Sequence, residues 1–253
     1  MTTITPEKLL AELRRAADVV AGIAATFSEE DVKAPSELPD WTRGHVLAHL
    51  CGIANAMARQ LEFAAQGKTI ELYDGGFEGR TRAIEMSAGH PVAEHRSDLD
   101  HALVRALTAF ESLDGADWHR PISFRGGVVF DGGLALWREF VIHAADLGTG
   151  RGPETWSRPF CEHLFEFLAA RVPDGQRFVL QPLGLPAVAI GTPGSRSTAV
   201  NGMLTDIAAW LAGRTPTLGS LRATAAADGV DLPALLPWPA GVRLSPAEPN
   251  SGA

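Results

Sequence analysis

Residues 41–50 read WTRGHVLAHL, and residues 137–147 read WREFVIHAADL. Apolar side chains recur in both stretches at intervals of three and four residues, which is typical of an amphipathic helix. The first stretch opens a helix that we expect to run to about residue 66, with Gly67 as its stop. The second stretch lies in a helix predicted over about residues 134–147. These two helices carry the side chains on which the functional prediction depends.

Each of the two predicted helices places two potential metal ligands on one face. Residues four apart on a helix are neighbours, so His45 lies beside His49 and Glu139 lies beside His143. Such a pair can chelate one ion without distorting its helix, and a third ligand from a facing helix leaves one position of a tetrahedral zinc ion open. Taken alone, either pair is more often an ordinary packed or solvated pair. Both pairs are surrounded by apolar residues, however, and a buried Glu139 requires a compensating partner, which a cation would supply.

The rest of the chain divides into a helical part with short connections, as in a bundle, and a mixed part that follows a polar run at residues 151–154. The mixed part is predicted to be a small α+β domain, because short strand-like runs separated by Pro and Gly alternate with helices. Further helices are predicted from Pro6 and over residues 80–87, 92–113, 159–170 and 201–212, strands over residues 177–181 and 187–190, and a hairpin or extended arm over residues 121–130.

The composition restricts the possible partners. The chain has 253 residues and a net charge of −8, without the clustered basic stripe that a phosphate backbone requires, so no nucleic acid is expected as a partner. No apolar stretch is long enough to cross a bilayer, and the first residues lack the pattern of a secretory signal. Cys51 and Cys161 lie far apart in predicted helices, which indicates reduced thiols and a cytoplasmic protein.

The two stretches also resemble a known family. LPDWTRGHVLAHL at residues 38–50, followed about ninety residues later by LWREFVIHAADLG at residues 136–148, is similar to the mycothiol-dependent maleylpyruvate isomerases, which are DinB-like metalloenzymes. The resemblance covers most of the chain. It implies a DinB-like metal-binding four-helix bundle over residues 1–155 and a small α+β domain, similar to sterol carrier proteins, over residues 156–253.

The resemblance also implies a set of site residues. The metal is expected on His49, Glu139 and His143, whereas His45 is not carried over as a ligand. The segment DIAAWLAGRTP at residues 206–216 matches a family segment that supplies a catalytic arginine, which makes Arg214 the corresponding residue. An alternative role for Arg214 is to cap the last carbonyls of its helix, as cations near helix C-termini do.

Asp146 follows His143 by three residues and is predicted to orient the ligand imidazole by accepting a hydrogen bond from it. A solvated charge near a helix end is the alternative interpretation of Asp146. The residues that would hold a thiol cofactor are not predicted by any motif in the sequence, and the oligomeric state is left open.

The function implied by the resemblance is the cis–trans isomerisation of maleylpyruvate to fumarylpyruvate, with a divalent metal, expected to be zinc, and mycothiol as cofactors. The partners are therefore a small electrophilic substrate and a low-molecular-weight thiol, with bacillithiol and glutathione as the other candidate thiols. The same motifs are compatible with a thiol S-transferase, with a zinc hydrolase and with a non-catalytic module that binds metal or an apolar ligand.

Overall fold

The computed structural model of the protein describes residues 4–223 and 231–239. The chain forms two compact units, Met1–Trp156 and Ser157–Ala253. The predicted order of a helical domain followed by a small α+β domain is confirmed, because the first unit contains helices and the second a small mixed sheet with helices. The Pro-rich sequence that ends with residues 249–253 predicts a frayed end, and these last residues lie outside the described ones. No helix in the described ranges is both long and apolar enough to span a membrane.

The first unit is built on four long helices. Helices α1 and α6 pack together, as do α6 and α3, α3 and α5, and α5 and α1, which is the closed arrangement of a four-helix bundle. The shorter α4 packs against α3. The helices are α1 (Pro6–Thr26), α2 (Glu29–Lys33), α3 (Arg43–Ala64), α4 (Gly76–Ser87), α5 (Val92–Glu111) and α6 (Val129–Asp146).

The start of α3 is fixed by a capping box. The Thr42 hydroxyl accepts a hydrogen bond from the backbone N–H of His45 at 3.4 Å, and the Thr42 N–H donates to Nδ1 of the His45 ring at 3.2 Å. His45 therefore serves as a capping residue. Because the cap fixes where the helix begins, it also determines that His49, one turn further on, faces the interior, where its side chain is buried.

Helix α6 begins five residues earlier than the sequence predicts. Asp131 accepts a hydrogen bond from the backbone N–H of Val128 at 2.9 Å and so closes the first turn. Gly132 and Gly133, which precede the predicted helix start at residue 134, lie inside the helix instead. A Cβ on Gly132 would meet Sδ of Met57 at 2.7 Å, so the glycines are required for close packing of the bundle and not for chain reversal.

The predicted hairpin over residues 121–130 is reduced to one antiparallel bridge, between Pro121 and Val128.

The second unit contains a four-stranded sheet in the order β2-β1-β3-β4, in which β1 and β3 are parallel and the other neighbours are antiparallel. Helices α7 and α8 pack against each other. Strand β3 was not predicted, and it contains Asn201 and Gly202, which had been assigned to the following helix. The elements are α7 (Arg158–Leu168), β1 (Arg177–Pro182), β2 (Val188–Gly191), β3 (Ser197–Gly202), α8 (Leu204–Leu211) and β4 (Arg222–Ala223).

Gly44, near the start of α3, lies close to the end of α4 and to α5. A Cβ built on Gly44 would lie 2.3 Å from the carbonyl oxygen of Ala88, at the end of α4, and 3.2 Å from Nε2 of His95 on α5. The same Ala88 oxygen lies 3.3 Å from Nε2 of His95. The absence of a side chain at residue 44 therefore lets α4 lie against the helix that carries His49.

Gly44→Ala is expected to lower the free energy of unfolding by about 1–3 kcal/mol, because the contact is with backbone, which cannot move aside as a flexible side chain can. Gly52→Ala is the matched control in the same helix, since nothing lies within 4 Å of a Cβ there. It should raise the stability by about 0.5–1 kcal/mol through the better helix propensity of alanine. Chemical denaturation followed by circular dichroism measures both effects, and equal effects would refute this role for Gly44.

Candidate metal centre

Three of the predicted site residues meet at one point inside the helical unit. His49 Nε2 on α3 lies 2.9 Å from Oε2 of Glu139 and 3.1 Å from Nε2 of His143, both on α6. The remaining separation, between His143 Nε2 and Glu139 Oε2, is 3.1 Å. Three ligand atoms of the nitrogen and oxygen type therefore converge, each within hydrogen-bond distance of the other two.

This donor set fits a divalent metal ion. Two donors of a tetrahedral zinc ion lie roughly 3.3 Å apart when each bond is about 2.0–2.1 Å long, so the three side chains would need to separate by only a few tenths of an ångström. Two imidazoles and one carboxylate are ligands that zinc accepts in catalytic sites, where a further position stays free. His45 is not part of the group, since its Nδ1 is occupied at the start of α3 and its Nε2 lies 3.6 Å from Glu85.

Glu139 is held as a carboxylate by the two histidines. Burial alone would raise the pKa of Glu139, but hydrogen bonds from His143 and His49 outweigh it and hold the pKa well below its ordinary value. Both ring nitrogens converge on the same oxygen, Oε2. A negative charge with two nitrogen donors at its side is the electrostatic arrangement that favours a cation at this point.

Asp146 lies where the sequence predicts an orienting carboxylate. Its Oδ2 is 2.8 Å from Nδ1 of His143, and the residue is buried. The pKa of His143, which burial would lower, is raised to about 9 by hydrogen bonds to Asp146 and Glu139. The backbone oxygen of Asp146 accepts a hydrogen bond from Glu37 at 2.8 Å, which ties the end of α6 to the loop before α3. The His143 ring is thus fixed with Nε2 directed at Glu139.

The second nitrogen of His49 has a different kind of neighbour. Nδ1 of His49 lies 3.0 Å from Nη2 of Arg80, which α4 contributes and which is half-buried. Burial lowers the pKa of His49, and the Glu139 hydrogen bond opposes this shift only in part. No spacing or motif pointed to Arg80, because a single arginine near a helix start has no periodic partner. Only the packing of α4 against α3 brings it to the site.

The charge of Glu139 acts on two further arginines. Burial lowers the pKa of Arg138 to about 9 although the Glu139 charge acts in the opposite direction. Burial likewise lowers the pKa of Arg125, again opposed by Glu139. Arg125 has a φ of +53°, a left-handed conformation that is uncommon for residues other than glycine. Sequence reasoning missed both arginines, since neither shares a helical spacing with the histidine motif that would have drawn attention to it.

Arg214 lies in the second unit, in the turn that follows α8. Its backbone N–H donates to the oxygen of Ala209 at 2.8 Å, and its Nη1 donates to the oxygen of Ala212 at 3.2 Å. These contacts are those of a residue that caps the end of a helix, one of the two roles considered for it. The segment beyond is held by Asp206, whose buried carboxylate accepts two hydrogen bonds from Ser220. A catalytic role for Arg214 stays a prediction.

A second group of potential ligands, His90, Glu94 and Asp98, also lies within metal-binding distance. Glu94 and Asp98 are exposed to solvent, and the Glu94 side chain keeps 50% of its accessible surface. Solvated carboxylates require no cation for compensation. In the first group His49 is buried and Glu139 keeps only 31% of its side-chain surface, so lower exposure to solvent distinguishes the first group from the second.

The sequence and the fold are similar to those of one family. Residues 13–148 match the family model described as the mycothiol maleylpyruvate isomerase N-terminal domain, and residues 155–237 match the one described as the MDMPI C-terminal domain. No curated protein is significantly similar in sequence.

Two crystal structures share the fold. One is of a mycothiol-dependent maleylpyruvate isomerase, with 21% identity and a TM-score of 0.80, and the other is of a histidine-to-alanine mutant of a mycothiol-dependent maleylpyruvate isomerase, with 20% identity and a TM-score of 0.79. Each alignment covers 93% of this chain and 99% of the other.

Zinc added to the metal-free protein is expected to release about one proton per ion bound at pH between about 7 and 8. His143, with a pKa raised from 6.5 to about 9, is protonated in that range, and a metal-bound imidazole cannot keep the proton on Nε2. The apparent zinc affinity should therefore rise by about tenfold per pH unit below pH 9 and rise less steeply above it. Calorimetry in buffers of different ionisation enthalpy counts the protons.

Asp146→Asn is the control for this titration, because it removes the carboxylate that raises the pKa of His143. The variant should release clearly less than one proton at pH 8. If the unchanged protein binds zinc at pH 7 without releasing a proton, zinc does not replace a proton on His143, and the prediction is wrong.

Proposed function

The chain belongs to the mycothiol-dependent maleylpyruvate isomerase family, and from this membership we propose that it is a metal- and thiol-dependent cis–trans isomerase. The substrate proposed is maleylpyruvate, and the product is fumarylpyruvate. The metal dependence is supported by the convergence of His49, Glu139 and His143 on one point within the helical unit.

His49, Glu139 and His143 would hold the ion, for which zinc is proposed on the basis of the donor set. When bound, zinc supplies a positive charge that lowers the pKa of a thiol, so that the thiolate predominates near neutral pH. Two neutral imidazoles and one carboxylate cancel only one of the two charges of the ion. The residues of the site therefore leave a net positive charge that favours an anionic sulfur over a neutral thiol.

Maleylpyruvate would be converted by reversible addition of the thiol across its cis double bond, rotation about the resulting single bond, and elimination. The proton gained at carbon in the addition is lost again in the elimination, and the thiol is regenerated, so atoms and electrons balance without any oxidant or reductant. Mycothiol is the thiol proposed, in keeping with the family. Asp146 would keep the His143 ring in one orientation throughout, since its carboxylate accepts the Nδ1 hydrogen bond at 2.8 Å.

Arg214 is proposed to pair with a carboxylate of the substrate or with the negative charge that develops on the enolate. The support for this role is the position of Arg214 in a segment similar to the one that supplies the family's arginine. A planar guanidinium can donate two parallel hydrogen bonds to a carboxylate, which suits the dicarboxylate substrate. The turn that carries Arg214 is well anchored, because Asp206 holds the loop that follows it.

The zinc-loaded protein is expected to convert maleylpyruvate to fumarylpyruvate in the presence of mycothiol but not without a thiol. Ultraviolet absorbance measures the conversion, with glutathione as a parallel sample that tests the choice of thiol. His49→Ala should lose both stoichiometric zinc and activity, whereas His45→Gln, which keeps a capping side chain at the start of α3, should retain both. Full zinc binding without conversion under any thiol condition would contradict the isomerase and favour a thiol S-transferase acting on another electrophile.

Arg214→Ala should reduce turnover by about tenfold or more while the zinc content stays at one per chain. Arg222→Ala is the control, because Arg222 is an exposed arginine of the same unit. Unchanged turnover in Arg214→Ala would assign Arg214 to capping alone.

A further inference from the structure

Arg80 makes a contact with His49 that fixes where the proton of that ring lies. A guanidinium has five hydrogen-bond donors and no acceptor. Since Nη2 of Arg80 lies 3.0 Å from Nδ1 of His49, this nitrogen must accept the hydrogen bond. The ring proton is therefore on Nε2, and it is donated to Oε2 of Glu139 at 2.9 Å.

This contact is incompatible with a metal ion on Nε2 of His49. A neutral imidazole that ligates through Nε2 carries its proton on Nδ1, and that N–H would then face the N–H groups of Arg80. Two opposed donors repel each other, and the positive charge of the ion adds to the repulsion of the guanidinium. His143 shows the compatible arrangement, since its Nδ1 faces an acceptor, Asp146 Oδ2, at 2.8 Å. Occupancy of the site must therefore displace the Arg80 guanidinium from His49.

Within the described residues, Arg80 forms no ion pair with a carboxylate, whereas its helix neighbour Arg82 pairs with Glu78 at 3.9 Å. The guanidinium lies over the ring of Tyr73, 6.0 Å from its centroid. This contact with a neutral aromatic residue keeps the charge beside the ligand group without neutralising it.

We propose that Arg80, once displaced from His49 by the metal, binds a carboxylate of the substrate and so selects small dicarboxylate anions. This inference rests on the proposed function, because it needs an ion on His49 and an anionic substrate beside it. It assigns a substrate-binding residue to α4 of the helical unit, in addition to the proposed role of Arg214 in the second unit. Metal and anion binding are coupled through Arg80, since the guanidinium is released to the anion only when it leaves His49.

The test compares Arg80→Ala, Arg80→Lys and Arg82→Ala with the unchanged protein in two measurements. Zinc affinity is measured by competition with a chelator, and the affinity of the zinc-loaded protein for maleate, an unreactive cis-dicarboxylate in the absence of thiol, is measured by calorimetry. Arg80→Ala should bind zinc about threefold to tenfold more tightly, because the opposed donor and the like charge are gone. It should bind maleate about tenfold or more weakly, because a charged hydrogen bond is lost.

Arg80→Lys should bind maleate with intermediate affinity, since it keeps the charge without the planar guanidinium, and Arg82→Ala should match the unchanged protein in both measurements. Maleate affinity that is the same in Arg80→Ala and in the unchanged protein would overturn the role of Arg80, even if zinc binding and isomerisation are normal. Failure of the unchanged protein to bind zinc would instead overturn the proposed function, and the role of Arg80 with it.

Discussion

A carboxylate placed between two helices of a bundle must be compensated, and the structure of the helical unit is organised around this requirement. Glu139 receives its compensation from the ring nitrogens of His49 and His143, which both lie within 3.1 Å of the same oxygen. Removing an uncompensated carboxylate from water costs more free energy than one ordinary contact contributes. The loss of any one of the three side chains is therefore expected to affect the other two. A bound cation would satisfy all three groups together.

Helix geometry brings these side chains together, and close packing keeps them there. The cap at Thr42 fixes which face of α3 carries His49, and the four-residue spacing fixes that Glu139 and His143 share a face of α6. Gly132 and Gly133 allow α6 to approach its neighbours, because a Cβ at either residue would overlap side chains of the core. At the start of α3, the absence of a side chain on Gly44 likewise lets the end of α4 lie close to the helix that carries His49. Small residues thus position the charged ones.

Helix periodicity in the sequence pairs Glu139 with His143 and His45 with His49, and the three-residue spacing from His143 suggests Asp146 as its partner. The choice of His49 rather than His45 as the third ligand came from the resemblance to the family and not from the spacing. The sequence placed the start of α6 too late, at residue 134, because Gly132 and Gly133 are weak helix formers, although both lie inside α6 at close contacts with core side chains. Strand β3 was missed because its residues adjoin a strongly helical segment. Arg80 reaches His49 through the packing of α4 against α3, and Arg125 adopts a left-handed backbone conformation. Neither property has a periodic signal in the sequence.

We propose that one metal ion is held jointly by His49, Glu139 and His143. The most direct test is a crystal structure of the zinc-loaded protein with anomalous diffraction recorded on both sides of the zinc absorption edge. We expect one strong anomalous peak about 2.0–2.2 Å from Nε2 of each histidine and from a Glu139 oxygen, with Asp146 still hydrogen-bonded to His143. A peak at His90, Glu94 and Asp98 with none between α3 and α6 would contradict it.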